Sequence, residues 1–114
     1  MSHEDRELSY LVDMLQYSRE VIELLSNESY EGFIKNRLKC LASERLIEII
    51  GEAANHVSAA TQSAMSEIPW TRIIGMRNKL AHDYGEILSD RIWAISNSSV
   101  RELVKQLEGY GVKI

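Results

Sequence analysis

A single cysteine, Cys40, among 114 residues leaves no internal disulfide and no thiolate set for a structural zinc. That economy fits a reducing compartment, and a cytoplasmic location is expected. No run approaches the ~18 apolar residues of a membrane span. The opening Met1-Ser2-His3-Glu4-Asp5-Arg6-Glu7 is charged where a signal peptide carries an apolar stretch, so neither membrane insertion nor secretion is expected. A basic excess is also missing, since 13 Lys and Arg against 17 Asp and Glu give a net charge of −4. This argues against a generic nucleic-acid coat, and any RNA or DNA contact has to be local.

One proline and six glycines leave few interruptions in long segments rich in Leu, Ile, Ala, Glu, Lys and Arg. These residues favour helix, so the expected fold is all-α, a bundle of four to five antiparallel helices in one domain over residues 1–114. Leu8, Leu11, Val12, Leu15, Ile22 and Leu25 make one apolar stripe from about Glu4 to Ser26, with the end marked by Ser26-Asn27. Ile34, Leu38, Leu41, Ala42, Ile49, Ala53 and Val57 predict the longest helix, from about Tyr30 to Ser58. Gly51 lies inside it at a cost of about 1 kcal/mol relative to alanine, which predicts a close approach by another backbone. A polar connection from Ser58 to Ile68, with room for one short helical turn, leads to Pro69, which suits a first helical position. The third helix is predicted over Pro69 to Tyr84, with Gly85 as its cap. A fourth begins at Ser89 or Asp90 and carries Ile92, Ser96, Ser99, Val100, Leu103 and Leu107 inward.

The densest polar cluster is Arg72-Ile73-Ile74-Gly75-Met76-Arg77-Asn78-Lys79-Leu80-Ala81-His82-Asp83-Tyr84. Arg72, Arg77 and Lys79 stand there with no carboxylate between Trp70 and His82. A short basic stretch beside a histidine, the side chain that transfers protons near neutrality, suits a phosphate substrate. On a helical wheel Ile73, Arg77, Leu80 and Tyr84 fall within about 60° of one another, whereas Arg77 and His82 are about 140° apart. Aiming both at one atom requires either a loosened helix end or two copies of the chain lining one cleft, and the symmetric pair is the expected solution. The plain structural alternative is that Arg77 bridges to a carboxylate of the long helix while His82 caps its own helix.

The stretch resembles the HEPN (higher eukaryotes and prokaryotes nucleotide-binding) superfamily and, within it, the HepT-like toxins. The likeness rests on Ile68-Pro69-Trp70, Ile73-Ile74-Gly75-Met76-Arg77-Asn78, His82 and Tyr84, which reproduce an R-x4-H-x-Y motif with its flanks. Glu44-Arg45 and Ile47-Glu48-Ile49-Ile50-Gly51-Glu52-Ala53-Ala54 are similar to the second helix of that family, and Trp93 is placed as in its last helix. Many relatives follow the tyrosine with Phe-Gly, whereas Gly85-Glu86 follows Tyr84 directly.

The resemblance implies a homodimer whose motif helices line a cleft and act as a metal-independent endoribonuclease, with tRNA as the expected substrate. It implies no cofactor. It gives His82 the role of general base or acid and Arg77 that of stabilising charge on the phosphorane. Asn78 would orient the phosphate, and Lys79 or Arg72 would hold flanking phosphates. A MntA-type minimal nucleotidyltransferase antitoxin is the implied partner, transferring AMP to Tyr84 as an off-switch. Two rivals stand beside this reading: a non-catalytic HEPN subunit that binds or assists the nucleotidyltransferase, and a purely structural helical dimer.

Other features carry plainer expectations. Glu44, Glu48, Glu52 and His56 recur at spacing four, unlike the Glu-x-x-His pairs of di-metal bundles, and are read as a solvated face rather than a metal site. Trp70 and Trp93 are read as core or interface anchors, Cys40 as a small packed hydrophobe, and His3 as part of a mobile tail. No Gly-rich phosphate loop is present.

Overall fold

The computed structural model describes residues 2–82 and 89–114, with side chains for 2–77 and 89–114. These residues form seven helices and no strand. The first, α1 (His3–Leu24), begins at Ser2, whose hydroxyl accepts from the Asp5 N–H at 3.1 Å. His3 is therefore helical rather than part of a loose tail. Beyond α1, Asn27 adopts φ 62°, a left-handed conformation that asparagine tolerates better than most residues. The buried face of α1 is Leu11, Met14, Leu15, Ser18 and Val21, and Leu8, predicted to face inward, is half exposed.

The predicted long second helix is two helices, α2 (Tyr30–Lys35) and α3 (Arg37–His56). Asn36 divides them with φ −102° and ψ 91°, and its Oδ1 accepts from the Lys39 N–H at 3.1 Å. The cap resets the helical register. Cys40, Ser43, Ile47, Ile50, Ala53 and Ala54 turn inward, while Ile34, Leu38 and Leu41 face solvent, Leu38 at 78% exposure. The expectation that those three belong to the core fails because α3 has apolar residues on two faces and buries the one bearing Ile47 and Ile50, across the helix from Leu38 and Leu41, while α2 buries Phe33 rather than Ile34.

The connection after α3 contains α4 (Ala59–Ala64), capped by the Ser58 hydroxyl. Helix α5 (Trp70–His82) follows Pro69. The predicted continuation to Tyr84 and the cap at Gly85 lie outside the described residues. The expected last helix is also divided at Ser98, into α6 (Ser89–Asn97) and α7 (Ser99–Gly109), yet Ile92, Ser96, Val100, Leu103 and Leu107 are buried as predicted, while Ser99, at the division, is half-buried.

Chain ends show how the helices run. The Glu7 carboxylate near the start of α1 accepts from the Ser58 N–H at 2.9 Å, just past the end of α3, so α1 and α3 are antiparallel. Gly51 of α3 meets Arg77 of α5, and Cys40 Sγ lies 3.5 Å from Ser89 Oγ. The chain thus runs back along α3 from its C-terminal half towards its N-terminal half. Their common core joins Leu11, Met14 and Leu15 of α1 to Ile47, Ile50 and Ala54 of α3, Ile92 of α6, and Leu103 and Leu107 of α7. No helix among the described residues is long and apolar enough to cross a membrane.

Candidate active site

The start of α5 is fixed by its own flanks. Ile68 and Trp70 are buried, and Trp70 Nε1 donates to the Met65 carbonyl at 3.0 Å. Trp70 is accordingly a core anchor, as read from the sequence. Trp93 packs at ring-centroid distances of 5.3 Å from Phe33 and 6.0 Å from Tyr30, which ties α6 to α2. Both tryptophans are engaged in packing.

Arg77 stands two turns beyond Trp70 and is half-buried on the side of α5 that packs against α3. At the crossing lies Gly51. A Cβ built there would overlap Arg77 Cβ and would stand 3.1 Å from both Arg77 Cγ and the Ile73 carbonyl oxygen. The close approach predicted from a glycine inside a helix is therefore present, and its partner is the motif arginine. Composition pointed to a tight crossing at residue 51, but only the packing identifies what crosses there.

Arg72 is exposed and lies elsewhere. It lines an open groove of about 700 Å³ with Gln62, Ser63, Ser66, Pro69 and Thr71, between α4 and the start of α5. Arg72 and Arg77 are five positions apart, which places them about 140° from each other around the helix. The fold does not converge them on one point. Asn78, Lys79 and His82 lie on the helical backbone of α5, but their side chains fall outside the described residues, as does Tyr84 altogether.

Along α3, on which α5 packs, the glutamates are not the freely solvated row that was expected. Glu44 is half-buried, and its carboxyl is pushed up from the usual carboxylate range first by burial and then by the charge of Glu48. Glu48 and Glu52 pair with Arg45 at 3.6 and 3.3 Å, and the His56 ring stacks on Tyr10 at 5.0 Å. Each of these last three is thus engaged outside any shared metal-like cluster. Cys40 packs as predicted, buried with Sγ 3.2 Å from the Phe33 carbonyl.

With this geometry in place, comparison with known proteins is informative. The sequence profile of the ribonuclease HepT-like family matches residues 14–109, a span that contains α3, the α3–α5 crossing and the whole motif. A provisionally named RNase of Methanocaldococcus jannaschii is 32% identical over 88% of this chain and 92% of its own length. Another from Caldanaerobacter subterraneus is 35% identical over 87% of this chain and 88% of its own. A provisionally named ribonuclease HepT of Thermococcus cleftensis is 30% identical over 95% of this chain and 91% of its own. No solved structure gives a significant match. An all-helical fold, a motif arginine seated on the second long helix, and a family match across most of the chain agree: this protein belongs to the HepT-like ribonuclease family.

Proposed function

We propose that the protein is the toxin of a toxin–antitoxin pair, a metal-independent endoribonuclease that cuts RNA, with tRNA as its substrate. The observation that carries this reading is the family match over residues 14–109, within which Arg77, His82 and Tyr84 keep the R-x4-H-x-Y order. In the proposed reaction the 2′-oxygen attacks phosphorus and the bond to the 5′-oxygen breaks, leaving a 2′,3′-cyclic phosphate and a 5′-hydroxyl. One proton leaves the 2′-hydroxyl and one reaches the departing 5′-oxygen; His82 is assigned to one of these transfers. The Arg77 guanidinium stabilises the doubly charged phosphorane, a contribution commonly worth a few kcal/mol of barrier.

Asn78 orients the reacting phosphate, and Lys79 and Arg72 hold flanking ones. The groove beside Arg72, lined by hydroxyls and an amide, offers polar groups to a strand passing away from Arg77. Two copies of the chain form the working unit, because a pair brings a second basic stretch to one cleft and offsets the net charge of −4 where phosphate enters. A nucleotidyltransferase of the MntA type silences the enzyme: the Tyr84 oxygen attacks the α-phosphorus of ATP and pyrophosphate leaves. The bound AMP then places a phosphate near Arg77.

The test is cleavage of a mixed tRNA pool in EDTA by protein expressed without its neighbour, with intact mass showing Tyr84 bare. Wild type is expected to cut and leave cyclic phosphate ends, while Arg77→Ala and His82→Ala each lose roughly 100-fold or more in rate. Tyr84→Phe is expected to cut and to accept no AMP. Equal inactivity of wild type and both alanine variants would overturn the enzyme in favour of a subunit that only binds its partner.

A further inference from the structure

We propose that Gly51 is a positioning residue for Arg77, holding the guanidinium at the depth the reaction requires; this rests on the ribonuclease reading above. The argument starts from which atoms a side chain at residue 51 would meet. Two belong to Arg77, its Cβ and Cγ, and the third is the Ile73 carbonyl oxygen. In an α-helix that carbonyl accepts the N–H of the residue four positions on, which here is Arg77 itself. All three atoms therefore belong to the one helical turn that carries the arginine.

A change of the arginine rotamer moves Cγ but relieves neither of the other two. Arg77 Cβ is fixed to its backbone, and the Ile73 carbonyl is backbone. An added methyl at residue 51 must push the whole turn of α5 away from α3. The displacement needed is on the order of 1 Å, and misplacement of a catalytic group by that much costs up to about 100-fold in rate. Binding of the RNA strand, spread over Arg72 and Lys79 along the rest of α5, does not depend on that turn to the same degree. Loss at residue 51 should therefore fall on kcat rather than KM.

Gly75 supplies the matched control. It lies on α5 itself, two residues from Arg77, and a Cβ there meets no described atom within 4 Å. Glycine to alanine at either position makes the same chemical change within a helix. Only at residue 51 does it press on the arginine.

The experiment measures kcat and KM for RNA cleavage in wild type, Gly51→Ala and Gly75→Ala, with thermal unfolding of Gly51→Ala, Arg77→Gly and the double variant. The expected result is a fall in kcat of roughly 10- to 100-fold for Gly51→Ala with KM within about twofold, and kinetics like wild type for Gly75→Ala. Unchanged kcat in Gly51→Ala, or an equal loss in both alanine variants, would overturn the proposal. In the unfolding arm Gly51→Ala lowers Tm when residue 77 is arginine, and most of that loss disappears when residue 77 has no side chain. An equal loss in both backgrounds overturns the proposal. If Gly51→Ala alone does not fold, the double variant must, and failure of both overturns it too. A wild type that cuts no RNA defeats the ribonuclease reading, while the unfolding arm still reports on the packing of residue 51 against residue 77.

Discussion

Glu7 joins the two ends of the α1–α3 pair. Burial alone would push its carboxyl up, but hydrogen bonds from the Thr61 hydroxyl, the Ser58 N–H and the Ser58 hydroxyl, together with nearby His3, hold it below its ordinary value of 4.5. A carboxyl held low in the folded state contributes stability that is present above that ordinary value and is lost as pH falls through the lowered one. Glu7→Gln is expected to cost less than about 1 kcal/mol at pH 7, because the group is partly open to solvent. Its urea midpoint should fall less steeply than that of wild type between neutral and acid pH. At Gly75, alanine should gain up to about 1 kcal/mol from helix propensity, measurable as a raised Tm. At Gly51 the same gain is opposed by overlap with Arg77. The sequence singles out Gly51 as a glycine inside a helix but does not name what it meets, since a helical wheel contains no information about the neighbouring element. The motif arginine was legible for the opposite reason: its spacing from His82 and Tyr84 is carried by the chain itself.

The helices show where local signals suffice and where they do not. Ser2, Ser29 and Ser58 each accept a backbone N–H at a helix start, and the apolar period of α7 runs as read, whereas that of α1 is turned so that Met14 and Val21 are buried and Leu8 is half exposed. The break at Asn36 escaped because asparagine is tolerated inside helices as well as at their starts, and no proline or glycine adjoins it. The exposure of Leu38 and Leu41 has another cause: α3 is apolar on two sides, and packing selects the face of Ile47 and Ile50. Asn36→Ala should remove the hydrogen bond to Lys39 and cost about 1 kcal/mol in unfolding experiments. Leu38→Lys, on the exposed side of the same junction, should change stability by less than about 0.5 kcal/mol. The break at Ser98 is quieter. The residues on either side keep one buried face, so the reading of Ile92 through Leu107 survived an error about continuity.

At the scale of the molecule the core formed by the described residues is apolar except at three points, the hydroxyls of Ser18 on α1, Ser43 on α3 and Ser96 on α6. All three are buried without a hydrogen-bond partner among the described residues. Each gives up its bonds to water on folding and recovers none among the described residues, so Ser43→Ala is expected to raise stability by up to about 1 kcal/mol in chemical denaturation. Small side chains there also allow three helices to draw together, which a sequence can report only as ordinary serine. The remaining helix, α2, is held differently from its neighbours. It has six residues, and Phe33 is its single buried side chain, resting near Trp93. An element held by one buried ring, the edge contact of Tyr30 with Trp93 and the Cys40 thiol at its Phe33 carbonyl has little to lose by lifting away. Its amides should exchange with deuterium ahead of those of α3, and Trp93 emission should shift red at denaturant concentrations below the main transition. The protein would then carry a small flap that opens and recloses while the arginine-bearing helix stays in place.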